Sequence, residues 1–187
     1  MKLVVIDIEV ASPAFPIYAD PIVEIAAVEL DLKDGKKNLL FDKIIKEDNF
    51  DVSRHSNSWI FSHSTLKPME VDAAYPLEIY RDQIQSILNT YPITAFNRDF
   101  DIGFLKNRKF TIEKMAPCPM QLATPILKIP HLRYQWKYPN LEEAYRHYFG
   151  DTGYVESHRA FSDANHEAAL VWKMYRAGDY SFQDKVF

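Results

Sequence analysis

Cysteine occurs once, as Cys118, so no intramolecular disulfide can brace this chain. Positive charge is not in excess: 22 Lys and Arg stand against 26 Asp and Glu, a net charge of −4. That balance excludes a protein that holds nucleic acid by bulk charge. It leaves room for one that grips a few phosphates and neutralises an acidic site with a metal. No apolar run approaches the length of a membrane span. The opening stretch, Met1 to Ile6, is apolar, but Asp7 and Glu9 cut it too soon for the core of a secretion signal. Internal repeats and low-complexity segments are also missing. These absences point to a soluble cytoplasmic protein with no membrane partner. Apolar residues supply 47% of the 187 positions and aromatic residues 14%. A chain of that size and composition is expected to build one α/β domain over residues 1–187, with a peripheral tail from about residue 179.

The pattern of apolar residues and chain breakers divides the sequence into short elements. Leu3 to Ile8, Ile22 to Leu32 and Asn38 to Lys46 read as strands, with Ala11 to Pro21 a proline-bearing loop and Asp34-Gly35 a hairpin turn. Glu47 to Lys67 is polar and punctuated, and reads as a long functional loop that can include a short helix. Leu77, Tyr80, Ile84, Ile87 and Leu88 recur in steps of three and four, which predicts a helix over 77–91. A short strand follows at Ile93 to Phe96, and a helix at Phe100 to Arg108. Met120 to Thr124 reads as a helical piece stopped before Pro125. After a loop at Pro130 to Pro139, Asn140 caps a helix from Leu141 to Phe149, closed by Gly150. The last helix is predicted over Phe161 to Ala177, ending at Gly178. Three strands, a helix, a strand and more helices imply a mixed sheet flanked by helices.

Acidic residues mark the edges of these elements. Asp7 and Glu9 lie two positions apart at the end of the first strand, so they project from the same face. Two acids on an otherwise apolar strand repel each other and are costly to bury. A hard divalent cation such as Mg²⁺ or Mn²⁺ removes that cost; a strand end emerging into solvent is the alternative. Asp101 lies near the start of a helix in Asn97-Arg98-Asp99-Phe100-Asp101, where the helix dipole alone would favour an acid. His158 and Asp163 frame the opening of the last helix, where an exposed loop histidine and a first-turn acid would be unremarkable.

The ordered set says more than its members. Asp7-x-Glu9, Asn97-x-x-Phe100-Asp101 and His158-x-x-x-x-Asp163 resemble the three motifs of the DnaQ-like 3′-to-5′ exonucleases, in the histidine subtype (DEDDh) of the DEDD superfamily. Ile22 to Val28 is similar to that family's second strand, and Leu141 to Gly150 to the helix before its last motif. The resemblance covers roughly Lys2 to Tyr175. There are departures: Val10, Ala11 and Ser12 follow the first motif where the family has Thr and a nearby Gly. Phe96 precedes Asn97 in place of a frequent His, and His63-Ser64-Thr65-Leu66 lacks the Gly of the family's usual His-Gly-Ile-Thr stretch. The resemblance implies a ribonuclease H-like fold with a mixed five-stranded sheet. It also implies two ions of Mg²⁺ or Mn²⁺, clamping a scissile phosphate. Asp7 would bridge both, Glu9 and Asp163 would complete one shell, and Asp101 would hold the other ion through water. His158 would take a proton from the attacking water, its unperturbed pKa of roughly 6.5 suiting a base at neutral pH. The product would be a nucleoside 5′-monophosphate cut from a single-stranded DNA or RNA 3′ end.

Single-stranded ends are held by stacking on aromatic rings together with a few cations. Lys128 to Tyr138 interleaves both kinds of residue and includes Arg133 and Trp136; packing of those rings on the core is the alternative. Arg54, His55 and His63, in the long loop, and Asn97 are further candidate substrate contacts. Cys118 reads as a core residue. Two other functions fit the same fold: a non-catalytic nucleic-acid-binding domain, and a hydrolase of another phosphodiester such as a cyclic or dinucleotide. Retention of all five site residues argues against a decayed enzyme. Substrate length, pathway and oligomeric state leave no mark on the sequence.

Overall fold

The computed structural model describes residues 1–12 and 16–181. A sheet of four strands, in the order β3-β2-β1-β4, organises it: β1 (Lys2–Val10), β2 (Ile22–Asp31), β3 (Lys37–Ile44) and β4 (Ile93–Thr94). The first three form an antiparallel meander, and β4 joins β1 in parallel. Eight helices accompany them among the described residues: α1 (Val52–His55), α2 (Trp59–His63), α3 (Pro68–Asp72), α4 (Leu77–Thr90), α5 (Arg98–Asn107), α6 (Pro119–Leu127), α7 (Leu141–Phe149) and α8 (Ala160–Ala177).

Strand β1 is buried on both faces, and its alternation sorts the two main cores. Leu3 and Val5 face a layer built on α6, α7 and α8, while Val4, Ile6 and Ile8 face α4 and α5. Asp7 and Glu9 share the parity of Leu3 and Val5, so they extend β1 along the α8 side. Helix α8 packs across β1 and β2. Its buried stripe runs through Ala160, Asp163, Ala164, Glu167, Ala168, Val171 and Met174, the spacing of one helix face.

Several elements differ from expectation. The sheet has four strands among the described residues, not five. The place beside β4 is taken by an isolated bridge between Ile93 and Met115, flanked by Ile93 N–H to Lys114 O and Ala116 N–H to Ile93 O. Pro117 and Pro119 then remove two backbone donors, so no longer ladder forms. The stretch 47–67 is not an open loop. It folds into α1 and α2, and with α3 these pack Phe50, Ile60, Phe61, Leu66 and Val71 on Val23 and Ala11 in a third, smaller core. Helix α6 does not stop before Pro125 but runs on to Leu127. The carbonyl deprived of its donor belongs to Gln121, which is exposed and can turn to water. The segment after Gly178, expected to be peripheral, is pinned by Tyr180, which is buried and donates its hydroxyl to Pro117 O at 2.9 Å; residues 182–187 lie outside the described ones.

One polar clamp ties these parts together. Arg108, at the C-terminal cap of α5, donates to both carboxylate oxygens of Glu47 and to the carbonyls of Tyr18 and Asp20. Glu47 in turn accepts the Ile22 N–H at 2.7 Å. The end of α5, the start of β2 and the loop between β1 and β2 are thereby joined. Tyr18 packs against α5 at Gly103, where a β-carbon would overlap its ring, and meets Phe104 edge-on at 5.3 Å.

Candidate metal and active site

The sheet and two helices bring the acidic motifs to one place. Because β4 ends at Thr94, β1 runs on past its parallel neighbour, and the Ile8 N–H finds its acceptor in Asp101 Oδ1 at 3.2 Å. That single bond joins the second motif to the first. Asp101 is buried, and burial pushes its carboxyl up to about 8 against the pull of the Ile8 amide. Asp7 stands next to it with Oδ2 sealed from solvent and without a hydrogen-bond partner among the described residues. Burial raises its pKa well above the carboxylate range, and the charges of Glu167, Glu9, Asp101 and Asp163 raise it further. Glu9 behaves alike: burial first, then Asp163, Glu24 and Glu156.

Asp163 is better served. Its Oδ1 accepts the Ser157 N–H and hydroxyl at 3.2 and 3.1 Å, and its Oδ2 the Arg159 N–H at 3.0 Å. Those two amides flank His158, whose backbone sits at φ +51, a left-handed conformation uncommon for a residue with a β-carbon. The carboxylate therefore holds the loop in the shape that presents the imidazole. Ligand atoms of Glu9, His158 and Asp163 all lie within 4.8 Å of one another. Burial lowers the His158 pKa, with Asp163 opposing. The ring meets Trp59 edge-on at 4.5 Å, and Trp59 stacks on His63 at 4.1 Å. Glu156 Oε1 lies 3.9 Å from His158 Nδ1, and burial beside Asp163 pushes Glu156 up to about 7.

An ion pair surrounds the cluster on one side. Glu24 stands opposite Glu9 in the β1–β2 register. It is buried and takes three bonds from the Arg159 guanidinium, the shortest 2.7 Å, plus the Ala160 N–H at 3.0 Å. Arg159 thus neutralises Glu24, and Glu24 caps α8. Among the described residues, no Lys or Arg pairs with the acids of the three motifs in this way.

The other candidates scatter. His63 is exposed, its Nδ1 held by Trp59 O and Ser62 Oγ, yet the Trp59 stack brings it near His158. Asn97 is exposed at the N-cap of α5 with its side chain free of the cap bond. Arg54 is exposed on α1, whereas His55 is buried and stacked on Phe50, a packing residue. Arg133 and Trp136 belong to the loop after α6. There Trp136 lines a cavity of about 560 Å³ with Thr124, His131, Tyr134 and Tyr138, and none of the motif acids lines it. Cys118 is buried and donates to Phe96 O.

One residue escapes the motifs. Glu167 lies one helical turn beyond Asp163 on the same buried stripe, and its Oε2 accepts the Phe96 N–H at 3.1 Å. Burial raises its pKa well above the usual range, Asp101 adding to the shift. An acid on the apolar stripe of a helix is a signal that periodicity alone can reveal.

An arrangement of buried like charges with an orphaned oxygen fits a divalent cation chemically: oxygen donors, net negative, poorly solvated. The family model described as Exonuclease (RNase_T) matches residues 4–171. Among curated proteins none matches the chain in sequence. Solved structures share its fold. A 3′-exonuclease described for 3′-end specific recognition of a histone mRNA stem-loop superposes with a TM-score of 0.71 at 14% identity, over 96% of this chain and 83% of that one. The nuclease domain of 3′hExo, a DEDDh family member bound to rAMP, gives 0.70 at 14% identity, over 99% and 97%. Cell-death related nuclease 4 gives 0.65 at 16% identity, over 95% and 64%.

Proposed function

Since the chain belongs to the RNase T-type exonuclease family, we propose that it is a divalent-metal-dependent 3′-to-5′ exonuclease. Its substrate would be a single-stranded DNA or RNA 3′ end, and its product nucleoside 5′-monophosphates. Residues 1–187 would form one catalytic domain. The observation that carries this reading is the meeting of Asp7, Glu9, Asp101 and Asp163 from β1, α5 and α8, one oxygen of Asp7 left without a hydrogen-bond partner among the described residues.

Those four carboxylates would hold Mg²⁺ or Mn²⁺, two ions per site. Bound there, the metal neutralises phosphate charge and acidifies water. The chain's own residues do the rest. His158, presented beside Glu9 and Asp163, accepts the proton of the attacking water; its lowered pKa keeps the imidazole neutral and able to do so. Trp59 and His63 wall the side of the site next to His158, where a terminal nucleotide would pass. Asn97, Arg54, Arg133 and Trp136 are candidate contacts farther along the strand, the last two in the aromatic and basic loop after α6.

Incubation of 5′-labelled DNA and RNA oligomers with Mg²⁺, Mn²⁺ or EDTA tests the reading. A ladder shortening from the 3′ side, silenced by EDTA and by Asp7→Ala or Asp101→Ala, is expected. Undiminished cleavage after exhaustive chelation would remove the metal from the mechanism. Immediate release of the label as a mononucleotide would reverse the direction.

A further inference from the structure

The three motifs account for four acids, but the site holds others that no motif names, and one of them, Glu167, bonds the segment that carries the second motif. We propose that Glu167 is a positioning residue of the metal centre: it fixes the second motif to the third and adds a fifth negative charge behind the ions. This deepens the metal-dependent reading above and rests on it.

The geometry is specific. Glu167 follows Asp163 by four residues on α8, so both side chains leave the same face of the helix, and both are buried. Its Oε2 accepts the Phe96 N–H at 3.1 Å. Phe96 is the residue before Asn97, which opens α5, and Asp101 sits in the first turn of that helix. One bond therefore joins the helix that bears Asp163 to the segment that places Asp101. Asp101 is in turn tied to β1 through the Ile8 amide. Glu167 completes a circuit running β1, α5, α8 and back to Asp7, whose charge it feels and whose Oδ2 has no hydrogen-bond partner among the described residues. A buried carboxylate with one amide bond is a poor choice for holding two segments together, since Gln would accept the same bond at no cost in charge. The charge makes sense if a cation sits in front of it. Groups that orient and electrostatically support metal ligands tune affinity by tenfold or more when removed.

The test separates anchor from charge. Glu167→Gln keeps an acceptor for the Phe96 amide and drops the charge; Glu167→Ala drops both. Titration of the metal-free protein with Mn²⁺ by calorimetry gives the affinity, and melting of the same samples gives the fold. Glu167→Gln is expected to melt at or above the wild-type temperature without metal and to bind Mn²⁺ about tenfold more weakly. Glu167→Ala, which also loses the Phe96 bond, should bind more weakly still and melt lower. Glu167→Asp, which keeps the charge but retracts it, should fall between Gln and wild type in affinity. It also serves if the Gln variant does not fold. A Gln variant that binds Mn²⁺ within twofold of wild type overturns the proposal, as does, if Gln does not fold, an Asp variant that binds as tightly as wild type. Asp101→Asn is the control. If it too leaves Mn²⁺ binding unchanged, or wild type binds none, the metal reading itself fails and not only the role of Glu167.

Discussion

At the level of single residues, His158 carries the sharpest expectation. Its loop is shaped by the carboxylate of Asp163, through the amides on either side of it, and its ring rests on Trp59. Replacing it with Ala should lower kcat by roughly a hundredfold or more, the usual cost of losing general-base help. Mn²⁺ binding measured by calorimetry should hardly change, since all the carboxylates remain. Near-normal kcat together with a lower melting temperature would instead make His158 a packing residue. The spacing of His158 and Asp163 was legible because both lie at the mouth of a helix, where polar residues break the apolar pattern. Glu167 was harder to see. It sits inside the helix, and an acid there looks like part of a solvated face until the stripe from Ala160 to Met174 is drawn through it.

Among the elements, α5 decides where Asp101 stands, and Arg108 holds the far end of that helix. The side chains of Arg108 and Glu47 are only 9% and 12% exposed, so cutting the pair strands a buried carboxylate. Arg108→Met should cost roughly 3 kcal/mol, read from urea unfolding. A loss below about 1 kcal/mol would mean that the clamp adds little. Nothing in the local pattern announces that clamp, because its partners are far apart in sequence. Strands β1 to β3, α4, α7 and α8 were readable from periodicity and caps, within a few residues at their ends. The region from 47 to 67 was not. Its helices are a turn or so long, and their burial comes from Phe50, Ile60 and Phe61 meeting Val23 across the chain. The continuation of α6 through Pro125 depends on an exposed carbonyl, and the curtailed strand beside β4 on Pro117 and Pro119. Both are matters of context that a breaker rule cannot weigh.

Across the whole molecule, the crowd of buried acids makes stability depend on pH. Unfolded carboxylates titrate near pH 4, whereas Asp101 is pushed up to about 8 and Glu156 to about 7, with Asp7, Glu9 and Glu167 also raised. Between those values the folded chain holds protons that the unfolded chain has released, so stability falls as pH rises through that window. His158, with its lowered pKa, works the other way: its share of stability is gained as pH rises through the unfolded value of roughly 6.5. One imidazole is outweighed by five carboxyls. The melting temperature of chelated protein should therefore drop between about pH 5 and pH 8, and Mn²⁺ should restore it at the upper end. A flat profile would mean that the acids are better solvated than their burial implies. A different consequence follows from where the acids lie along the chain. Asp7 and Glu9 come with the first strand, β1, and Asp163 arrives only with α8, which packs back across β1 and β2. During synthesis the first strand leaves the ribosome long before its partner helix exists. On the proposed mechanism no chain lacking α8 can cut, so a nuclease made on an RNA template stays harmless to that template at least until α8 has been made.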